Sequence, residues 1–163
     1  MQLLKDKVRE ITGENIDYSV TLDFDGFVKF IDLLGGVDIN VPEDLTDNEY
    51  PAGEDLAYTT FSIKKGQQTL DGATALKYAR SRHSTSDFDR SIRQQLVIKA
   101  VKEKLLSLNY ITSPSKMKAL YYAISSHVIT DLSLGQIASI AFFAKDLPTD
   151  HILSFNLNDS CFQ

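Results

Sequence analysis

The chain has 163 residues, 43% of them apolar and 24% charged, with a formal net charge of −5. This is the length of one domain and the composition of an ordinary globular protein, and its acidic balance excludes the global basic field that nucleic-acid binding requires. No apolar run approaches the roughly 18 to 20 residues that span a bilayer, and the amino terminus lacks a basic-then-apolar signal pattern, so the chain as given reads as soluble. The lone cysteine, Cys161, has no internal partner and leaves the redox compartment open.

In chain order, Leu3, Leu4, Val8 and Ile11 form one helical stripe that Thr12-Gly13 ends. Ile16 to Leu22 alternates toward a strand. A second helix over 24–34 buries Phe27, Phe30, Ile31 and Leu34 and stops at Gly35-Gly36, after which Val37 to Val41 alternates as another strand. A strand-helix-strand unit of this kind predicts a parallel pair with a right-handed crossover. Residues 42–58 are acidic, carry two prolines and a glycine, and read as a long surface loop. Phe61 to Ile63 reads as a short strand, Lys65-Gly66 as a turn, and Asp71 as the cap of a helix over 72–80. Helices over 88–107, 115–127 and 134–145 follow, the last with Ser133 as N-cap, and His151 to Leu157 closes the chain as a strand. There is no internal repeat and no linker, so residues 1–163 read as one α/β domain with a central mixed sheet flanked by helices.

The charge is uneven along this plan. Residues 77–104 carry eight Lys or Arg against three Asp or Glu, leaving nine basic against nineteen acidic residues elsewhere. The stretch YARSRHSTSDFDRSIRQQ, Tyr78 to Gln95, holds four arginines within fourteen residues. At about 100° per residue, Gln94, Val97, Val101 and Leu105 fall within about 60° of Arg90, which places Arg90 and Gln94 on the apolar face of the helix. An arginine there needs its charge matched. Arg80 and Arg82, at the end of the preceding helix, bring two more planar guanidinium forks toward the same place, a set suited to a polyanion such as pyrophosphate. The same spacing equally allows an internal network, with Arg90 paired to Asp87 and Arg80 and Arg82 on the carbonyls of a helix end.

Other candidates read as structural. His83 is a loop residue, and His127 and His151 lack partners at metal-ligand spacing, so no metal site is predicted from this chain's residues. Asp25 reads as a helix-start acid and Asp32 as a helix-surface residue.

YARSR followed by SDFDRSIRQQ, with FDGFVKFIDLLGGVDINVP and KKGQQTLDGATALKYAR before it, resembles the catalytic domain of the LytR-CpsA-Psr family of bacterial cell-envelope proteins. The resemblance runs from about Ile16 through VITDLSLGQIASIA. It implies transfer of an anionic glycopolymer, of teichoic acid or capsular polysaccharide type, from a polyprenyl-pyrophosphate carrier to peptidoglycan through a phosphodiester. By motif position, Arg80, Arg82, Arg90 and Gln94 correspond to the pyrophosphate-binding set, the three arginines in catalytic roles; the stripe Val97, Ile98, Val101 and Leu105 beside them reads first as plain core, with contact to the lipid tail as the other reading. The resemblance also implies Mg2+ as cofactor and a place at the extracellular face of the cytoplasmic membrane. The family's metal-binding aspartates and its amino-terminal membrane helix correspond to segments upstream of the portion matched here. A chain of this extent is therefore also read as a polyprenyl-pyrophosphate-binding fragment without turnover, and transcriptional regulation is the weakest of the three readings on charge.

Overall fold

The computed structural model describes residues 2–51, 58–82 and 87–144. Within them the order is α1 (Gln2–Thr12), β1 (Val20–Leu22), α2 (Phe24–Leu33), β2 (Val37–Val41), β3 (Leu45–Pro51), β4 (Tyr58–Ile63), β5 (Gly66–Leu70), α3 (Gly72–Arg80), α4 (Asp87–Ser107), α5 (Pro114–Ile124), a 3₁₀ turn Ser125–His127, β6 (Val128–Thr130) and α6 (Leu134–Ala144). The α/β class and the single domain stand. The expected strand at 151–157, His83, the Asp87 side chain and Cys161 lie outside the described residues.

Helix starts follow their caps. Asp23 accepts from Gly26 N at 2.7 Å to begin α2, and Asp71 accepts from Thr74 N at 2.8 Å to begin α3. Ser133 and Gln136 cap α6 reciprocally, Gln136 N donating to Ser133 Oγ and Ser133 N to Gln136 Oε1. Helix α2 stops where Gly35 and Gly36 take φ of 75° and 87°, the left-handed conformation that favours glycine.

Strand pairing departs from the expected crossover. Helix α2 separates β1 from β2, and the two do not pair: β1 lies antiparallel to β6, β2 to β5 and β3 to β4. Among the described residues the sheet framework is thus three antiparallel ribbons, where a mixed sheet was expected. The long loop expected over 42–58 is also corrected, since Leu45–Pro51 is a strand paired to β4. Its acidic and amide residues mask the pattern because β3 carries one extra residue between Asp47 and Tyr50, whose partners Phe61 and Thr59 are a single step of two apart. A bulge of this kind breaks the period of two and puts both Asp47 and Tyr50 on the buried side.

The core joins Ile31 of α2, Val37, Ile39 and Val41 of β2, Leu70 of β5, Ala75 and Tyr78 of α3, and Val97 and Ala100 of α4. Helix α3 lies tight on α2: Asp32 Oδ1 accepts from Gly72 N at 2.7 Å, so Asp32 tethers two helices and is more than a surface residue. A methyl group on Gly72 would stand 2.2 Å from Val28 O.

Two outcomes are expected. Gly72→Ala should lower stability by about 1–3 kcal/mol through overpacking, whereas Gly135→Ala on α6, where an added Cβ meets nothing within 4 Å, should be neutral or stabilising; urea denaturation of both variants checks the contrast. Asp131 ties the edge ribbon to α1, accepting from Lys5 Nζ and, at 2.8 Å, from Ser19 N. The Lys5 hydrogen bond, then that of Ser19, holds its carboxyl below the ordinary 3.8, at about 2. Its contribution is therefore present above pH 3.8 and lost as pH falls through about 2. Asp131→Asn should melt earlier near neutrality and lose less stability than the parent across that acid window, measured as melting temperature against pH.

Candidate functional site

The carboxyl end of α3 is where the arginine segment comes together. The last helical carbonyls have no partner within their own helix and carry the negative pole of its dipole. Here side chains of α4 supply donors: Arg93 Nε reaches Tyr78 O at 3.1 Å, Arg93 Nη2 reaches Ser81 O, and Gln94 Nε2 reaches Ala79 O at 3.4 Å. Ser81 closes the turn itself, its N and its Oγ each donating to Lys77 O at 2.9 Å. Gln94 is exposed and Arg90 half-buried, so neither sits on the core stripe where the spacing put them.

The core-facing arginine is Arg93, 6% exposed, in line with Val97 and Ala100. The sequence signal existed: at about 60° from Arg90 on the other side, Arg93 lay at the edge of the same angular window. The true stripe is centred there, because Arg93 has helix-end carbonyls to bond and Gln94 does not need burial to reach Ala79. Burial pulls the Arg93 pKa below its ordinary value, opposed by Tyr78, Asp89 and Asp47, while Arg90 adds to the lowering. An arginine remains charged under such shifts. The helix-end carbonyls that the sequence reading gave to Arg80 and Arg82 are thus taken by Arg93 and Gln94, while the pairing of Arg90 with Asp87 falls on a side chain outside the described residues.

Asp47, buried at 1% exposure, is the second residue that sequence reasoning missed. Alternation from Leu45 turns its carboxylate inward, ahead of the bulge, where Oδ1 accepts from Glu49 N at 3.0 Å and Oδ2 from Arg82 N at 3.2 Å. It therefore holds the backbone at Arg82 and counters the charge of Arg93.

The two arginines that open the segment face outward from this fixed end. The Arg80 guanidinium carbon stands 4.1 Å over the Phe24 ring and 5.7 Å from the centre of the Tyr50 ring, and Nη1 donates to the Tyr50 hydroxyl at 3.4 Å. Contact with two rings and one phenol hydroxyl holds the fork in place while most of its N–H groups make no other bond among the described residues. The Arg82 side chain is exposed and has no hydrogen-bonding or ionic partner among the described residues. Arg90 sits on the first turn of α4, close enough to affect Arg93 electrostatically. The arrangement offers planar, charged donors to an external polyanion.

Fit to a metal is a separate matter. Among the described residues no three His, Cys, Asp or Glu side chains converge as ligands. His127 has a structural partner, its Nδ1 standing 3.0 Å from Asp23 Oδ1 at the start of α2. Of the stripe read as core or as lipid contact, Val97 is core and Ile98 is 69% exposed.

Comparison with known proteins gives one consistent result. The model of the LytR_cpsA_psr family matches residues 1–160. The cell wall biosynthesis protein LcpA of Corynebacterium glutamicum is 34% identical over 134 residues, which are 78% of this chain and 23% of LcpA. The polyisoprenyl-teichoic acid–peptidoglycan teichoic acid transferase TagV of Bacillus subtilis is 35% identical over 147 residues, 87% of this chain and 36% of TagV. The crystal structure of B. subtilis TagV superposes with a TM-score of 0.69 at 27% identity, covering 91% of this chain and 54% of that one. The chain thus spans well under two thirds of the length of these relatives.

If Arg93 is the clamp on α3, Arg93→Ala should cost about 3–5 kcal/mol by leaving the Tyr78 and Ser81 carbonyls without their donor and removing the cation that Asp47 opposes. Arg93→Lys should recover little of this, because one ammonium cannot span both carbonyls in the guanidinium's geometry. Arg82→Ala should leave the denaturation midpoint unchanged; urea titrations of the three variants give the comparison.

Proposed function

The chain belongs to the LytR-CpsA-Psr family, and on that premise we propose that it binds a polyprenyl-pyrophosphate-linked anionic glycopolymer and, in the intact protein, transfers it to peptidoglycan in the cell envelope. The observation that carries the reading is the carboxyl end of α3, where Arg80 stands over the Phe24 ring and beside Tyr50 and the exposed Arg82 extends from a backbone pinned by Asp47. The names of LcpA and TagV, cell wall biosynthesis and teichoic acid transfer, support the same class of substrate.

In this reading a peptidoglycan hydroxyl oxygen forms a bond to the phosphorus that carries the glycopolymer. The bond from that phosphorus to the bridging oxygen breaks, polyprenyl phosphate departs, and the hydroxyl proton is released. Such a transfer asks mainly for positioning and for neutralisation of charge on the phosphoryl and leaving oxygens. Arg80 and Arg82 supply that charge, Arg90 adds to it from α4, and Gln94 stands beside them as an amide donor. Arg93 acts as a positioning residue by holding α3 to α4. Magnesium enters the proposal as a counter-ion to pyrophosphate, and no step is assigned through it on the described residues. The reading places the protein at the outer face of the cytoplasmic membrane, linked to the bilayer by the carrier lipid and by the amino-terminal anchor that the family resemblance implies for the intact protein. Among the described residues no helix is long and apolar enough to cross a membrane.

Calorimetry with a short-chain polyprenyl pyrophosphate, with and without magnesium, tests this. The parent chain should bind, and Arg82→Ala and Arg80→Ala should each weaken binding by about 10- to 100-fold, the worth of a charge-assisted hydrogen bond. Equal affinity in both folded variants would remove the arginines from the site. Binding without transfer to peptidoglycan fragments when magnesium is present would favour the non-catalytic binding reading for this portion.

A further inference from the structure

Arg80 stands 4.1 Å over the Phe24 ring, yet Phe24 keeps 55% of its surface exposed, so open ring surface remains beside the guanidinium. Phe24 is the first residue of α2, and at about 100° per residue Val28 follows it one turn on, about 40° round the helix. Val28 lines a shallow groove of about 390 Å3 along α2, together with Asp25, Lys29 and Asp32. The side chains of Asp25 and Lys29 have no hydrogen-bonding or ionic partner among the described residues, and Asp32 uses Oδ1 alone, toward Gly72 N.

An open aromatic ring with unpaired hydrogen-bonding groups one turn away has the make-up of a saccharide subsite. A pyranose has a face of C–H bonds, which the negative face of an aromatic ring attracts, and a rim of hydroxyl groups, which need donors and acceptors. Asp25 and Asp32 accept and Lys29 donates. A lipid tail would need a continuous apolar wall, whereas Asp25, Lys29 and Asp32 are all exposed along this side of the helix. Charge decides which saccharide fits. Helix α2 and its cap carry Asp23, Asp25 and Asp32 against a single cation of their own, Lys29, a surface that repels a phosphate-bearing polymer and accepts an uncharged sugar.

We propose that Phe24 and the α2 groove form a subsite for the acceptor glycan, in which an uncharged pyranose ring stacks on Phe24 and the hydroxyls of the neighbouring sugar meet Asp25, Lys29 and Asp32. The inference rests on the transfer reading above, because that reaction needs a sugar hydroxyl brought to a phosphoryl group held by Arg80. One ring then serves both substrates: the cation over it holds the donor's pyrophosphate, and its open surface orients the acceptor.

Saturation-transfer NMR and an affinity titration with tetra-N-acetylchitotetraose, an uncharged pyranose oligomer without phosphate, test it on the 163-residue chain. The parent should bind, with transfer strongest at the ring C–H protons of the sugar. Phe24→Ala should weaken binding by about 3- to 10-fold, the worth of an aromatic contact, and Phe24→Trp should retain it. Asp25→Ala should weaken it by about 10-fold, the worth of a hydrogen bond to a charged group, with the circular dichroism spectrum of every variant unchanged. Short poly(glycerol phosphate) should not compete. Absence of binding, or affinity unchanged in folded Phe24→Ala or Asp25→Ala, would overturn the proposal. So would competition by poly(glycerol phosphate) that Phe24→Ala abolishes, which would assign the face to the donor polymer. Because the probe contains no pyrophosphate, its failure beside intact polyprenyl-pyrophosphate binding removes this subsite alone, whereas saccharide binding without pyrophosphate binding removes the transfer reading.

Discussion

A guanidinium with 6% of its surface exposed must find hydrogen-bond and charge partners or destabilise the helix that carries it, and Arg93 finds them at the carboxyl end of α3. Two carbonyls that α3 cannot satisfy internally, Tyr78 O and Ser81 O, accept from its fork. Each side resolves the other's deficit: the helix end needs donors, and the buried cation needs acceptors. Because Arg93 shares its stripe with Val97 and Ala100, the same contact fixes the rotation of α4 about its own axis. That rotation puts Gln94 on Ala79 and leaves the first turn of α4, with Arg90, beside the end of α3.

Position along the strand matters as much as position along the helix. Without the extra residue in β3, the side chains two and four places after Leu45 would share one face, and Glu49 would stand inward where Tyr50 does. The bulge instead delivers a carboxylate and a phenol to the same side three residues apart. Asp47 meets the amide of Arg82, and Tyr50 meets the guanidinium of Arg80. Phe24, at the first position of α2, completes the shelf because Asp23 caps that helix in a fixed direction. Local geometry in three separate elements therefore determines where one arginine points.

The signals that were legible in the sequence are those with short range. Asp71 before GATALKYAR, Ser133 three residues before Gln136, and Gly35-Gly36 after the α2 stripe each act through the adjacent backbone, and each does what its chemistry dictates. The alternation of VDINV likewise gives Val37, Ile39 and Val41 inward and Asp38 and Asn40 outward. Pairing depends on distant residues, and so β1 turns to β6 and β2 to β5 instead of to one another. LTDNEYP escaped as a strand because a bulge removes the alternation that would reveal it. For the site, arginine density and the family motif located the segment. The choice between Arg90 and Arg93 for the interior depended on carbonyls of another helix, which no helical wheel contains.

The local excess of positive charge in residues 77–104 overstates what the site presents to solvent. Lys104 is matched by Asp38, 3.2 Å away, and Lys77 lies within the field of Asp71. Arg93 is opposed by Asp89 and Asp47. These matched cations hold α3 and α4 to the ribbons and to one another. At the outward end stand Arg80, held against two aromatic rings, and Arg82, whose backbone is held while its side chain extends. Two planar forks two residues apart are matched best by an anion with charge on two centres, since a single carboxylate would satisfy one fork and leave the other to water. A pyrophosphate has that form, and in the proposed reading the rigidity supplied by Arg93 and Asp47 lets half-buried Arg80 and exposed Arg82 act on it together.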